Sequence, residues 1–290
     1  MGIDPDSTKP QEFNPKTDTL TRTTESNNIS SSEPGQKTLK NEHTDPALLS
    51  IEDARRDRHI LWLEIAAVIC IGVAPDTLNA IDLLLMQNGE EPYYTQAPFW
   101  SSQFSLASRS IYVALPVLFI MLRSDIGLNG FGVSMPKWKD AGHGLAWTFL
   151  FSTASYIVSY CIWSIWWVIV EPSATLVSAP EDIESFWSTP NGVLGWISLI
   201  TTDAMNGFAE ELVVRAYLIT RLLSILKNPL QAVLISSAAF GIYHLYYGVV
   251  DAAIITISGT VLGFAFVLTR SVWPVVIAHG LSNLILALDA

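Results

Sequence analysis

Apolar positions are distributed very unevenly along this chain of 290 residues. Up to about residue 50 they are almost absent, and stretches such as TRTTESNNISSSEPGQ (21–36) consist of Ser, Thr, Asn, Pro and charge. Such a segment cannot bury enough surface to offset the entropy of ordering it, so residues 1–50 are predicted to form a disordered polar tail. From Ile60 the pattern reverses. Apolar runs recur at about 60–85, 103–122, 143–170, 192–222, 229–247, 252–269 and 272–288, with short polar breaks between them. Most approach the ~20 residues that a helix needs to cross hydrocarbon. They predict an all-α, polytopic transmembrane helix bundle of about seven spans, occupying residues 51–290. Glu64, Pro75, Asp76 and Asp82 interrupt the first run, which predicts a kinked span or a half-buried helix there.

The connections between runs carry charge in alternation. RRDR (55–58) precedes the first run and Glu90 and Glu91 follow it. Arg123, Lys137 and Lys139 follow the second, and Glu171, Glu181, Asp182 and Glu184 the third. Arg221 and Lys227 come next, then Asp251, then Arg270, then Asp289. All the basic connections fall on one side of a seven-span arrangement. By the positive-inside rule that side is cytoplasmic, which puts the N-terminal tail in the cytoplasm and the C-terminus outside. Trp62, Trp100, Trp138, Trp187 and Trp273 sit near run ends, as interfacial anchors do. The net charge of −11 therefore says little about soluble partners, and no nucleic-acid partner is expected. Cys70 and Cys161 lie in apolar runs and read as small hydrophobes.

Within GFAEELVVRAYLIT (207–220), Glu210, Glu211 and Arg215 stand inside an apolar run. A charge at the bilayer centre costs from ~2.5 to above 10 kcal/mol, so all three are expected to face protein or trapped water. On a helix Glu211 and Arg215 are four apart and share a face, where pairing offsets much of the cost of both. Glu210 points about 100° away and is left free to titrate, as a general acid or base must be. AAFGIYHLYYG places His244 one turn after Phe240, and VIAHGLSNLIL places His279 and Asn283 four apart on the last run. Several costly polar residues on three neighbouring runs are accounted for together by one inward-facing cluster in a hydrated pocket.

EELVVR, FGIYH and HGLSN fit the motifs EExxxR, FxxxH and HxxxN, in that order and each on its own apolar segment. Over roughly 190–290 the chain thereby resembles the CPBP family of intramembrane proteases, also called the CAAX-protease, bacteriocin-processing or Abi family, which includes the type II CAAX prenyl endopeptidases. The resemblance implies a helical membrane fold with an enclosed site that hydrolyses a peptide bond. It implies that Glu210 activates water, that His244 holds and polarises it, and that His279 and Asn283 donate hydrogen bonds to the oxyanion. Glu211 and Arg215 take positioning roles. The expected partners are the lipid bilayer and a membrane-associated peptide or protein.

The family is often labelled metalloprotease, and Glu210, His244 and His279 form a ligand set that zinc accepts. The HExxH helix of zincins is missing, however, and a Glu-activated water needs no metal, so the metal-free form is favoured. Two other classes share part of the signal. A non-catalytic bacteriocin-immunity or binding protein would keep the fold without needing Glu210 or His279. A proton-coupled transporter would also place Glu and His in the membrane, but it predicts an internal repeat that the two halves lack.

Overall fold

The computed structural model describes residues 46–86, 98–169 and 190–289, and these are built from helices with no strand among them. Residues 1–45 of the expected tail lie outside the described residues, as do Glu90, Glu91, Glu171, Glu181, Asp182, Glu184 and Trp187. The first helix already begins at Pro46, within the range assigned to the tail. The fold is that of an integral membrane helix bundle.

The interrupted first run is a broken pair, α1 (Pro46–Gly72) and α2 (Ala74–Met86), bent by 45°. Pro75 explains the break, since it lacks the N–H that would continue the hydrogen-bond ladder and its ring crowds the preceding turn. Next come α3 (Phe99–Arg123), the single turn α4 (Gly127–Gly130) and the long α5 (Trp138–Ile169). The fourth run forms one continuous rod: α6 (Gly192–Glu211), a π-helical segment (Leu212–Ile219) and α7 (Thr220–Leu226). A left-handed Lys227 ends the rod, and Asn228 caps α8 (Pro229–Ile242) by accepting from the Gln231 N–H at 3.2 Å. Pro229 at the first helical position has no N–H to satisfy, so the sequence KNP is a stop and a start in three residues. A 3-10 turn (Leu245–Tyr247) leads into α9 (Val249–Thr269), and α10 (Trp273–Asp289) closes the chain.

Among the described residues, seven helical units (counting the α1–α2 pair and the rod as one each, and leaving out the single turn α4) thus stand where seven apolar runs were predicted. Among the described residues α3, α5 and α9 are long and apolar enough to cross a membrane individually, and the broken α1–α2 pair passes as a unit. α8 and α10 are shorter apolar helices. The fifth run ends as a helix at Ile242, five residues before its predicted limit, because the chain turns at Tyr243 and His244. α3 and the α6–α7 rod run parallel: the Thr202 hydroxyl meets Gln103 near one end, and Arg221 donates to the Ser124 hydroxyl at 3.0 Å near the other. α5 returns the chain between them.

Arg221, which the loop-charge pattern counts as an exposed cytoplasmic cation, is buried. It reaches the Glu64 carboxylate at 2.8 Å and lies over the Phe131 ring at 5.0 Å, and that ring stacks on Tyr217. Glu64, an interruption in the first run, is therefore the counter-charge that ties α1 to α7.

In lipid, helices gain nothing from burying apolar surface against each other, and close approach through small residues carries the packing. Gly72 faces Val213, Gly144 faces Ile277 and Gly263 faces Val233. The tightest is Gly241 of α8 on α9, where an added Cβ would fall 1.7 Å from the Thr256 hydroxyl and 2.8 Å from the Ala252 carbonyl. Backbone cannot step aside as a side chain can. Gly241→Ala is therefore expected to cost ~1–3 kcal/mol by overpacking, seen as a lower melting temperature in detergent. Gly142→Ala on α5, where a Cβ meets nothing within 4 Å, serves as the matched control and should leave stability unchanged or raised.

Candidate active site

Glu211 and Arg215 are both completely buried, and the expected pair is present, with Arg215 Nε 3.3 Å from Glu211 Oε2. The pair is not isolated. Arg215 Nη2 donates to the Gly259 carbonyl of α9 at 3.1 Å, and its guanidinium lies 4.2 Å from the centre of the Phe240 ring on α8. Gly259 permits this, because a Cβ there would sit 3.1 Å from the guanidinium. The other Glu211 oxygen, Oε1, is 2.8 Å from His279 Nδ1. A carboxylate can only accept, so Nδ1 carries the proton and Nε2 points onward.

His279 Nε2 lies 3.6 Å from Glu210 Oε2. α6 and α10 approach closely enough for this at Gly207, whose missing side chain faces Gly280 and the His279 ring. The other Glu210 oxygen, Oε1, accepts from the Asn206 amide at 3.0 Å and lies 3.9 Å from Arg109 Nη1 on α3. The expectation that Glu210 lacks a counter-charge is thus corrected. The helix geometry does deny it Arg215, but a cation arrives from a different helix. Glu210 ends with one oxygen held by Asn206 and Arg109 and the other turned towards His279.

His244 is not on a helix. It follows the end of α8, where its Nδ1–H donates to the Phe240 carbonyl at 2.7 Å. That bond leaves Nε2 with a lone pair. The ring is packed against Tyr243 at 4.4 Å and stacked with Tyr247 at 6.0 Å between centres. Phe240 contacts both imidazoles, at 4.8 Å from His244 and 5.7 Å from His279, so the two histidines flank one ring. Asn283 is half-buried one turn after His279, and its side chain has no hydrogen-bond partner among the described residues.

The three motifs therefore converge, while Arg109, Asn206 and Asp76 were missed by the sequence reading. A lone arginine inside the second apolar run was the available signal for Arg109. Nothing in the spacing links it to a carboxylate about a hundred residues later. As for metal, no three His, Cys, Asp or Glu side chains among the described residues are arranged as a ligand set. Both glutamates are already engaged by guanidinium groups, and His279 Nδ1 is taken by Glu211.

Removing Arg215 would leave the Glu211 carboxylate buried without its guanidinium. Arg215→Ala is expected to cost ~3–5 kcal/mol and to appear as poor expression and a lower melting temperature. A variant with wild-type stability would contradict the structural role of the pair.

Residues 192–285 match the family model described as "Type II CAAX prenyl endopeptidase Rce1-like", a stretch that contains all three motifs. No curated protein and no solved structure matches the chain.

Proposed function

From a C-terminal segment that belongs with the CPBP, or CAAX-protease, family, we propose that this protein is an intramembrane endopeptidase acting on a membrane-associated peptide or protein through a glutamate-activated water. The observation that carries the proposal is the meeting of separate motifs in one buried place. Glu210 Oε2 and His279 Nε2 face each other at 3.6 Å, and Glu211 braces the far side of the imidazole.

In this mechanism Glu210 Oε2 accepts a proton from water, because Oε1 is occupied by Asn206. The free Nε2 of His244 accepts a hydrogen bond from the second O–H of that water, which keeps its hydrogen, and so orients the nucleophile. As the water oxygen bonds to the scissile carbonyl carbon, the carbonyl oxygen becomes an oxyanion. His279 and Asn283 donate to it, a contribution of ~3–4 kcal/mol per donor. Glu211 balances the positive charge carried by His279 while it does so. Glu210 then delivers its proton to the leaving amine as the C–N bond breaks, which returns the carboxylate to its starting state. No step of this mechanism requires a metal.

An amide cannot take the proton, so Glu210→Gln should lower the cleavage rate on a peptide panel by ~10²–10⁴ while the protein remains folded. Wild-type activity should survive thorough chelation. Full activity in Glu210→Gln would remove this residue from the chemistry, and activity lost to chelator and restored by zinc would replace the metal-free mechanism.

The chain's orientation belongs to the same proposal. Without Arg221, the basic connections still comprise Arg123, Lys137, Lys139, Lys227 and Arg270. The proposal places them, and the tail, on the cytoplasmic side. In intact cells an impermeant thiol reagent should label Asn191→Cys and spare Lys137→Cys, both positions being exposed. The reverse pattern would invert the topology.

A further inference from the structure

Arg109 stands in the middle of α3, far upstream of the segment that carries the motifs, yet its guanidinium is built into the site. Nε donates to Asp76 Oδ1 of α2 at 2.9 Å, and Nη2 pairs with Asp76 Oδ2, so two parallel bonds fix the plane of the fork. Nη1 donates to Asn206 Oδ1 at 2.8 Å. That bond settles which end of the Asn206 amide is which, and its Nδ2 is left to donate to Glu210 Oε1 at 3.0 Å. The chain of contacts runs Asp76, Arg109, Asn206, Glu210, across α2, α3 and α6.

The geometry points to Arg109 as the positioning residue of Glu210: clamped by Asp76 and acting through Asn206, it holds Oε1 and leaves Oε2 as the oxygen that exchanges a proton. A base needs one oxygen free and the other fixed, and two carboxylate oxygens left to rotate would divide their time between water and protein. Arg215 cannot do this, because it is committed to Glu211 and Gly259. Arg109 also places a positive charge 3.9 Å from Glu210, which favours the ionised carboxylate that the mechanism requires at its start.

Other charged and titratable groups act on Glu210 as well. His279 comes from α10, and Tyr243 and His244 from the connection between α8 and α9. Tyr246 and Tyr247 belong to the same connection, and Asp203 and Glu211 share the rod with Glu210. Arg109 is the cation among them whose charge does not depend on pH and that bonds directly to a residue holding Glu210.

The assignment rests on the protease reading for its kinetic consequence but not for its spectroscopic one. The protonated carboxyl stretch of Glu210 can be followed by infrared difference spectroscopy of the full chain in detergent, identified by its absence in Glu210→Gln. In Arg109→Gln the pH midpoint of that band is expected to rise by about one pH unit, because the ionised form loses its cation. Arg109→Lys should recover much of the shift, since it keeps the charge but loses the fork. Asn206→Ala should move the midpoint the same way by a smaller amount. On a cleaved peptide, kcat in Arg109→Gln should fall about 10- to 100-fold with KM within about twofold, as a misplaced base gives. The acid limb of the rate profile should move up with the infrared midpoint.

An unchanged Glu210 midpoint in folded Arg109→Gln overturns the assignment and leaves Arg109 a structural link between helices. Should that variant not fold, an unchanged midpoint in Asn206→Ala overturns it equally. If no peptide is cleaved by the wild type but the midpoint moves, the protease reading fails and the clamp stands. If cleavage depends on Glu210 and the midpoint does not move, the clamp fails and the protease reading stands.

Discussion

A carboxylate with no exposed surface in the middle of a helix bundle has to be answered on every side, and Glu211 sets that condition for the whole C-terminal half. One oxygen is answered by Arg215 and the other by the imidazole of His279. Each answer recruits another helix. Arg215 needs the Gly259 carbonyl and the face of Phe240, which brings in α9 and α8. His279 needs α10 to lie against α6, where Gly207 faces the Gly280 backbone. Glu211 thus fixes the arrangement of four helices at once. Hydrophobic burial could not do so inside lipid, where tails are as apolar as side chains.

The same network divides two adjacent glutamates into different environments. Glu211 is tied on both oxygens, whereas Glu210 is tied on one. The difference comes from a 100° step around the helix and from what happens to stand in each direction: Arg215, α9 and α8 for one, α3 and the His279 Nε2 for the other. A sequence in which two identical residues lie side by side supplies two different environments because the neighbours, not the residues, differ.

The parts of this that the sequence makes legible are those governed by local spacing. Glu211 and Arg215 can be paired on paper because four residues close a helical turn, and the broken first span is written in Pro75. His244, His279 and Asn283 stand out because polar residues are expensive in apolar runs. The illegible parts are the long-range ion pairs. Arg109 and Asp76 lie on different helices from Glu210, and Arg221 meets Glu64 across more than 150 residues. Read singly, Asp76 and Glu64 are blemishes in a hydrophobic run and Arg221 is a loop cation. Only when α1, α2, α3 and the rod are assembled do they become partners. Loop-charge counting misassigns Arg221 for the same reason, since it weighs each residue without its counterpart. The end of α8 was likewise hidden, because the apolar pattern continues through residues 243–247 while the helix does not.

The π-helical stretch from Leu212 to Ile219 has a consequence for the phase of the rod. A π segment winds more widely than the α-helices on either side, with hydrogen bonds closing one residue further along. Everything after it is therefore rotated about the rod axis relative to an unbroken α-helix. The end before it is pinned by Glu210 and Glu211 in the site. The end after it is pinned by Arg221 against Glu64. A rewinding of residues 212–219 to α-helix would turn one pinned end against the other, and both sets of contacts could not be kept. The wide winding acts as a fixed gear between two anchor points, so the paired carboxylates at one level of the membrane and the docking of the first helix at another share a single torsional setting.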